Sequence, residues 1–76
     1  MRQPRRQALL ELVAARPGIC LSDLAGELGV STSSIEWHYQ VLHSLSMLEA
    51  RREGIHRCFF LGSRAARWLR QHQRST

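Results

Sequence analysis

The 76-residue chain contains no lysine, so all eleven of its basic residues are arginines. Against six acidic residues they give a net charge of +5 and a pI near 11.0. Every cation can therefore form paired hydrogen bonds with phosphate or with guanine through the planar guanidinium group. This charge indicates a polyanionic partner such as DNA or RNA, although a basic surface that is merely solvated has the same composition.

Cysteine is also scarce. Cys20 and Cys58 lie far apart and form no CxxC pair, so we expect the reduced, partly buried thiols of a cytoplasmic protein. The four histidines show no ligand spacing with the cysteines, and we expect neither a metal nor a cofactor.

Several classes of function have no support in the sequence. No apolar run reaches the ~18 residues of a membrane span, so we expect no membrane partner. We find no nucleophile–base motif, no carboxylate pair and no glycine-rich phosphate loop, and therefore expect no enzyme.

The length suits one domain, 1–76. Apolar residues at helical spacing predict a first helix over residues 5–16, with Arg2, Arg5 and Arg6 at its head and Pro17-Gly18 as its stop. Ile19 is predicted to be a short apolar link or part of a very short strand. A second helix is predicted from a Ser22 cap to Leu28, ended by Gly29.

The third helix, Ser31 to Leu45, is the element around which the chain is organised. Ile35, His38, Tyr39 and Leu42 share one stripe of it, which predicts a buried face. The opposite side presents small polar residues and an aromatic one: Ser33, Glu36, Trp37, Gln40 and Ser44. Ser31 is the expected N-cap.

The period then changes to that of strands. Residues 47–52 and 56–61 predict a hairpin whose turn is Glu53-Gly54-Ile55, and Ser63 is the expected cap of a last helix over 63–73. Phe60 should point away from Phe59 and need its own cover. The predicted fold is mainly α with a small β-hairpin: a winged helix-turn-helix with a three-helix core, a two-stranded wing and a C-terminal helix.

The run LSDLAGELGVSTSSIEWHYQVLHSLSMLEARREGIHRCFFL, residues 21–61, resembles the ArsR-like and MarR-like winged-helix regulators, in particular archaeal and phage members. Their pattern is matched by Leu24-Ala25, by Gly29-Val30-Ser31, by the spacing of Ile35, His38 and Leu42, and by the wing motif Arg52-Glu53-Gly54 followed by Arg57-Cys58-Phe59. Where the family has a glycine after the third helix, this chain has Ser46.

The resemblance implies a sequence-specific regulator of transcription, a repressor, that binds double-stranded DNA. Its third helix would enter the major groove, and its wing would lie on the backbone or in the minor groove. The expected DNA-binding residues are Ser31, Thr32, Ser33, Ser34, Glu36, Trp37 and Gln40 on the third helix, and Arg51, Arg52 and Arg57 on the wing.

Three questions stay open at this point. Winged helices also serve as protein-interaction adaptors with no DNA-reading role, and RNA is a further possible partner. Trp37 suits either DNA or a protein partner. Because relatives pair through their terminal helices, and Phe60 and Trp68 need cover, we expect a homodimer.

Overall fold

The computed structural model describes residues 4–73, which form four helices and a three-stranded antiparallel sheet. The order is α1 (Pro4–Ala15), β1 (Ile19–Cys20), α2 (Leu21–Leu28), α3 (Thr32–Ser44), β2 (Leu48–Glu53), β3 (His56–Leu61) and α4 (Ala65–Gln73). The predicted winged helix-turn-helix is therefore confirmed. Of the arginines predicted at the head of the first helix, Arg2 and the side chain of Arg5 lie outside the described residues.

One hydrophobic core joins all the helices to the sheet. Phe59 of β3 is its largest fully buried side chain, and it packs edge-on against Tyr39 of α3 with ring centres 5.6 Å apart. The other members include Leu9, Leu10 and Val13 of α1, Leu24 of α2, Ile35 and Leu42 of α3, Leu48 of β2, and Ala65 and Leu69 of α4.

The end of α2 agrees with the local sequence at Gly29, but its start does not agree with the predicted cap at Ser22. Gly29 adopts a left-handed conformation, φ +68°, and ends α2 as predicted. The N-cap of α2 is Cys20, so the prediction of a Ser22 cap is wrong. Because β1 runs straight into α2 and is paired with β3, the strand fixes where the helix begins.

The wing differs from its prediction by one residue on the first strand. The N–H of Met47 donates to the carbonyl of Leu42 at 2.9 Å, so β2 begins at Leu48. Pairing runs from Leu48 opposite Leu61 to Glu53 opposite His56, which leaves a two-residue loop, Gly54-Ile55. The sheet also gains a third strand, because β1 pairs with β3 on the side away from β2.

The junction between α3 and α4 is held by backbone contacts. Ser46 adopts φ +60°, and its carbonyl accepts a hydrogen bond from the N–H of Arg64 at 2.9 Å. Gly62 lies so close that a Cβ there would stand 2.7 Å from the carbonyl carbon of Ser46. These contacts hold residues 62–64 outside the helix, so α4 begins at Ala65 and the predicted Ser63 cap is wrong.

Candidate nucleic-acid interface

The N-terminus of α3 is built by a serine cap. The hydroxyl oxygen of Ser31 accepts a hydrogen bond from the N–H of Ser34 at 3.1 Å, which confirms the predicted cap. Ser31, Thr32 and Ser33 are exposed and Ser34 is half-buried. The first turn of α3 thus offers hydroxyl groups and helix N–H groups to solvent, which is the chemistry that binds a phosphate.

The middle of α3 separates its buried stripe from its exposed side as the sequence predicted. Ile35, His38 and Leu42 are buried, whereas Gln40 is exposed. The side-chain amide of Gln40 is exposed. Its NH2 group can donate one hydrogen bond to an adenine edge while its carbonyl oxygen accepts another.

Trp37 stands out from the same side of α3, with 57% of its surface exposed. Its ring meets that of His38 edge-on at 5.2 Å, and the guanidinium carbon of Arg6 lies 5.8 Å from the ring centre. Arg6 belongs to α1, so the structure adds a cation beside the exposed side of α3 that the sequence did not assign to this site. The cluster of arginines at the start of the first helix was visible in the sequence, but it did not indicate that Arg6 contacts Trp37.

Glu36 and Arg57 form an ion pair between α3 and β3. The guanidinium of Arg57 also lies over the rings of Tyr39 and Phe59, 5.0 and 5.6 Å from their centres. The sequence predicted two independent DNA contacts at these positions, whereas the structure brings the two side chains together. Both remain partly accessible, with 37% of the Glu36 side chain and 26% of the Arg57 side chain exposed.

The strand register divides the three wing arginines between two faces of the hairpin. Arg52 lies opposite Arg57, and Arg51 lies opposite Cys58. Because side chains alternate along a strand, Arg52 and Arg57 share the face that packs towards α3, and Arg51 lies on the other. There Arg51 covers Phe60 at 4.6 Å, which is the separate cover that the sequence required.

A cleft of about 240 Å³ lies where the wing meets the starts of α2 and α3. It joins two arginines and a histidine of the hairpin to hydroxyl groups at the two helix starts. The lining residues are Cys20, Leu21, Ser22, Thr32, Arg52, Ile55, His56 and Arg57. Cations and hydroxyl donors around one concave site suit an anion such as a backbone phosphate.

Further positive charge lies at the C-terminal end of the described chain, with Arg67 and Arg70 in α4 and Arg64 just before it. Arg64 and Arg67 are exposed beside a groove of about 480 Å³ at the end of α3. The basic charge of the described chain is therefore divided between the α3–wing side and the last helix.

Between residues 4 and 73, no helix has both the length and the apolar character needed to cross a membrane. Within the same residues, no three histidine, cysteine or acidic side chains come together as a possible set of metal ligands.

Solved structures with the same fold include several regulators. FabT of Streptococcus pneumoniae, solved in complex with DNA, superposes with a TM-score of 0.85 at 16% identity, over 92% of this chain and 51% of that one. The adhesin competence repressor AdcR of Streptococcus pyogenes gives 0.82 at 19% identity, over 93% and 53%. Both likenesses concern the fold, and the present chain spans about half the length of each protein.

Sequence identity is higher for a homodimeric winged helix-turn-helix DNA-binding domain of Mycobacterium bovis, Mb0332, described as a possible ArsR-family transcriptional regulator. It is 28% identical, with a TM-score of 0.81, over 93% of this chain and 66% of that one. Among curated protein sequences, none matches this chain significantly.

The family model described as winged helix-turn-helix DNA-binding matches residues 2–45, which is more than half of the chain. The match covers the helix-turn-helix, and the structure supplies the wing that follows it. The chain belongs to the winged helix-turn-helix DNA-binding family.

Proposed function

We propose that the protein is a transcriptional regulator that binds double-stranded DNA in a sequence-specific way. The observation that carries the proposal is that Arg52 of the wing and Thr32 at the start of α3 line one cleft. A wing cation and a helix N-terminus on one concave surface are suited to a single duplex, with the phosphate backbone bound between them. Family membership points to the same ligand.

The residues of α3 divide by chemistry in this proposal. Gln40 reads a base edge in the major groove, and the hydroxyl groups of Ser31, Thr32, Ser33 and Ser34 contact phosphates or a base edge. Trp37 packs its exposed ring on a sugar or on a thymine methyl group.

The wing residues contribute unequally. Arg52 is exposed, and we assign to it the main phosphate contact. Arg57 shares its charge with Glu36 and therefore contributes less. Arg51 stacks on Phe60 on the opposite face of the hairpin and reaches DNA from the side of the wing. Glu36 repels phosphates, so it disfavours registers that bring the backbone close to α3.

We further propose a cytoplasmic homodimeric repressor. The homodimeric Mb0332 domain and the repressor AdcR, both similar to this chain, support the assembly and the direction of regulation. The two apolar residues that first suggested dimerisation are largely covered by other residues of the same protomer. Phe60 is covered by Arg51, and Trp68 packs against the core. Sedimentation at high micromolar concentration tests the assembly, because a monomer there would contradict it.

The test of the DNA-binding proposal is fluorescence anisotropy with a labelled random-sequence duplex over a series of salt concentrations. Wild-type protein should bind at low salt and weaken steeply as salt is added. Arg52→Ala should reduce the log–log salt slope by about 0.9, the value for one phosphate contact. Arg70→Ala removes the same charge from the exposed side of α4 and should leave the slope closer to that of wild type.

The outcomes separate DNA binding from the adaptor function. If wild-type protein does not bind the duplex at low salt, the charge is not a DNA footprint and the proposal is wrong. If Arg70→Ala reduces the slope and Arg52→Ala does not, the basic face of α4 binds DNA instead of the wing. An adaptor would bind no duplex, and its partner would be sought at Trp37 or on α4.

A further inference from the structure

Cys20 and Cys58 face each other across two strands. They are register partners in the pairing of β1 with β3, and their Sγ atoms are 4.0 Å apart. Facing residues of an antiparallel pair have Cα atoms roughly 4.5–5.5 Å apart, within the range of about 4.4–6.8 Å that a disulfide requires. Both cysteines are free thiols in the structure. The backbone spacing therefore permits a disulfide, which forms when the two sulfur atoms approach each other by about 2 Å.

The two thiols differ in their environments. Cys20 is half-buried and lines the cleft between the wing and the helix starts, whereas Cys58 is buried. Burial, followed by the hydrogen bond and charge interaction with Cys20, raises the pKa of the Cys58 thiol. The thiolate is the nucleophile in exchange reactions. Cys20 is therefore the residue that solution reagents reach, and Cys58 is the one that reacts with it from within.

We propose that Cys20 and Cys58 are a modification site: a dithiol that a low-molecular-weight disulfide such as glutathione disulfide converts into an intrachain disulfide that weakens DNA binding. The thiolate of Cys20 attacks one sulfur of the reagent, forms a mixed disulfide and releases one glutathione thiolate. Cys58 then loses its proton and attacks the Cys20 sulfur, which releases the second glutathione. Two protein thiols are oxidised and one reagent disulfide is reduced to two thiols.

The effect on DNA follows from where the cross-link lies, and this part rests on the function proposed above. Cys20 is the residue at which β1 ends and α2 begins, and β3 is a strand of the wing. Shortening the sulfur separation from 4.0 Å to about 2 Å draws the start of α2 towards β3. The cleft that holds Ser22, Thr32 and Arg52 then narrows, and a phosphate loses part of its site.

The experiment incubates the full chain in buffers of increasing ratio of glutathione disulfide to glutathione, then quenches with acid, alkylates and determines the mass. Wild-type protein should lose both alkylatable thiols together without retaining glutathione, and dithiothreitol should restore them. Cys20→Ser, the matched control at the less buried position, should form no intrachain disulfide. Anisotropy with the random-sequence duplex then compares the two redox states.

Oxidised wild-type protein should bind DNA roughly tenfold more weakly than reduced protein, about the loss of one charge-assisted hydrogen bond. The affinity of Cys20→Ser should not respond to the buffer. Retained thiols, a stable glutathione adduct or a disulfide between chains would each overturn the modification site. A complete intrachain disulfide with unchanged affinity would overturn its effect on DNA. If reduced protein bound no DNA, the proposed function would be wrong. The mass measurement would then still show whether Cys20 and Cys58 form the intrachain disulfide.

Discussion

Glu36 of α3 and Arg57 of β3 form an ion pair that joins the third helix to the wing, and the Arg57 guanidinium also lies 5.0 Å from the ring centre of Tyr39. The pair places a carboxylate on the side of the protein that we propose faces DNA. It also occupies a wing cation that would otherwise be available to a phosphate. The charge of this side is therefore smaller than its arginines alone suggest.

Replacing Glu36 by glutamine should strengthen binding to a random-sequence duplex. The change removes a negative charge from the DNA-facing side and releases Arg57, so the log–log salt slope should increase by up to about 0.9. Folding should be little affected, because partly exposed ion pairs contribute about 0–1 kcal/mol. Anisotropy across a salt series and thermal unfolding measure the two effects.

The matched control for this charge change is Glu27→Gln. Glu27 of α2 also pairs with an arginine, Arg16, at 3.2 Å, and neither residue lines the cleft. Glu27→Gln should alter affinity less than Glu36→Gln and leave the slope closer to that of wild type. Equal increases would mean that only net charge matters. A loss of affinity in Glu36→Gln would mean that the pair orders Arg57 for its contact with DNA.

Trp37 should report DNA binding by its fluorescence. The chain has two tryptophans, and Trp68→Phe leaves Trp37 as the only tryptophan, which is excited selectively at wavelengths that tyrosine does not absorb. Because 57% of Trp37 is exposed, its emission should resemble that of an indole in water. Adding duplex should shift the emission to shorter wavelength or quench it, as the ring leaves solvent or stacks on a nucleotide. The titration should saturate at the midpoint measured by anisotropy.

Truncation of Trp37 should separate binding from folding. Trp37→Ala should weaken DNA binding, and its free energy of unfolding should fall by no more than about 1 kcal/mol, since the ring is largely outside the core and its removal deletes mainly the contacts with Arg6 and His38. If saturating DNA leaves the emission spectrum unchanged and Trp37→Ala binds DNA with wild-type affinity, Trp37 does not contact DNA. It would then be the first residue to test for a protein partner.

Local rules were sufficient for much of the fold. The buried stripe of α3, the Ser31 cap, the end of α2 at Gly29 and the second wing strand all follow from residues within a few positions of each other. The two predicted caps that were wrong, Ser22 and Ser63, looked the same in the sequence. Their helices begin elsewhere because long-range backbone pairing, by β1 with β3 and by Ser46 with Arg64, fixes the preceding residues.

The site depended more strongly on tertiary packing. The types of residue on α3 and the wing were predictable, but their partners were not. Glu36 and Arg57 are 21 positions apart, and Arg6 meets Trp37 across two helices. Cys20 and Cys58 were separate in the sequence and are adjacent in the sheet. Such contacts follow from how elements pack, for which a single sequence carries no local signal.

Ser46 provides the last prediction, which concerns stability. Among residues 4–73 it is the non-glycine residue with positive φ, +60°, and it lies just after the end of α3. A left-handed conformation costs an L-residue about 1–2 kcal/mol, and glycine avoids this cost but loses more backbone entropy on folding. Ser46→Gly should therefore raise the free energy of unfolding by about 0.5–1 kcal/mol, or the Tm by a few degrees.

Ser44→Gly is the control, made two residues earlier in the same helix end. Ser44 is helical and its hydroxyl donates to the carbonyl of Val41 at 2.7 Å, so glycine there should lower the free energy of unfolding by about 0.5–1 kcal/mol. Urea unfolding followed by circular dichroism measures both variants. Destabilisation by Ser46→Gly would mean that the serine side chain contributes more than its backbone conformation costs. Opposite signs at Ser44 and Ser46 would identify the left-handed backbone as the cause, because the two changes remove the same side chain.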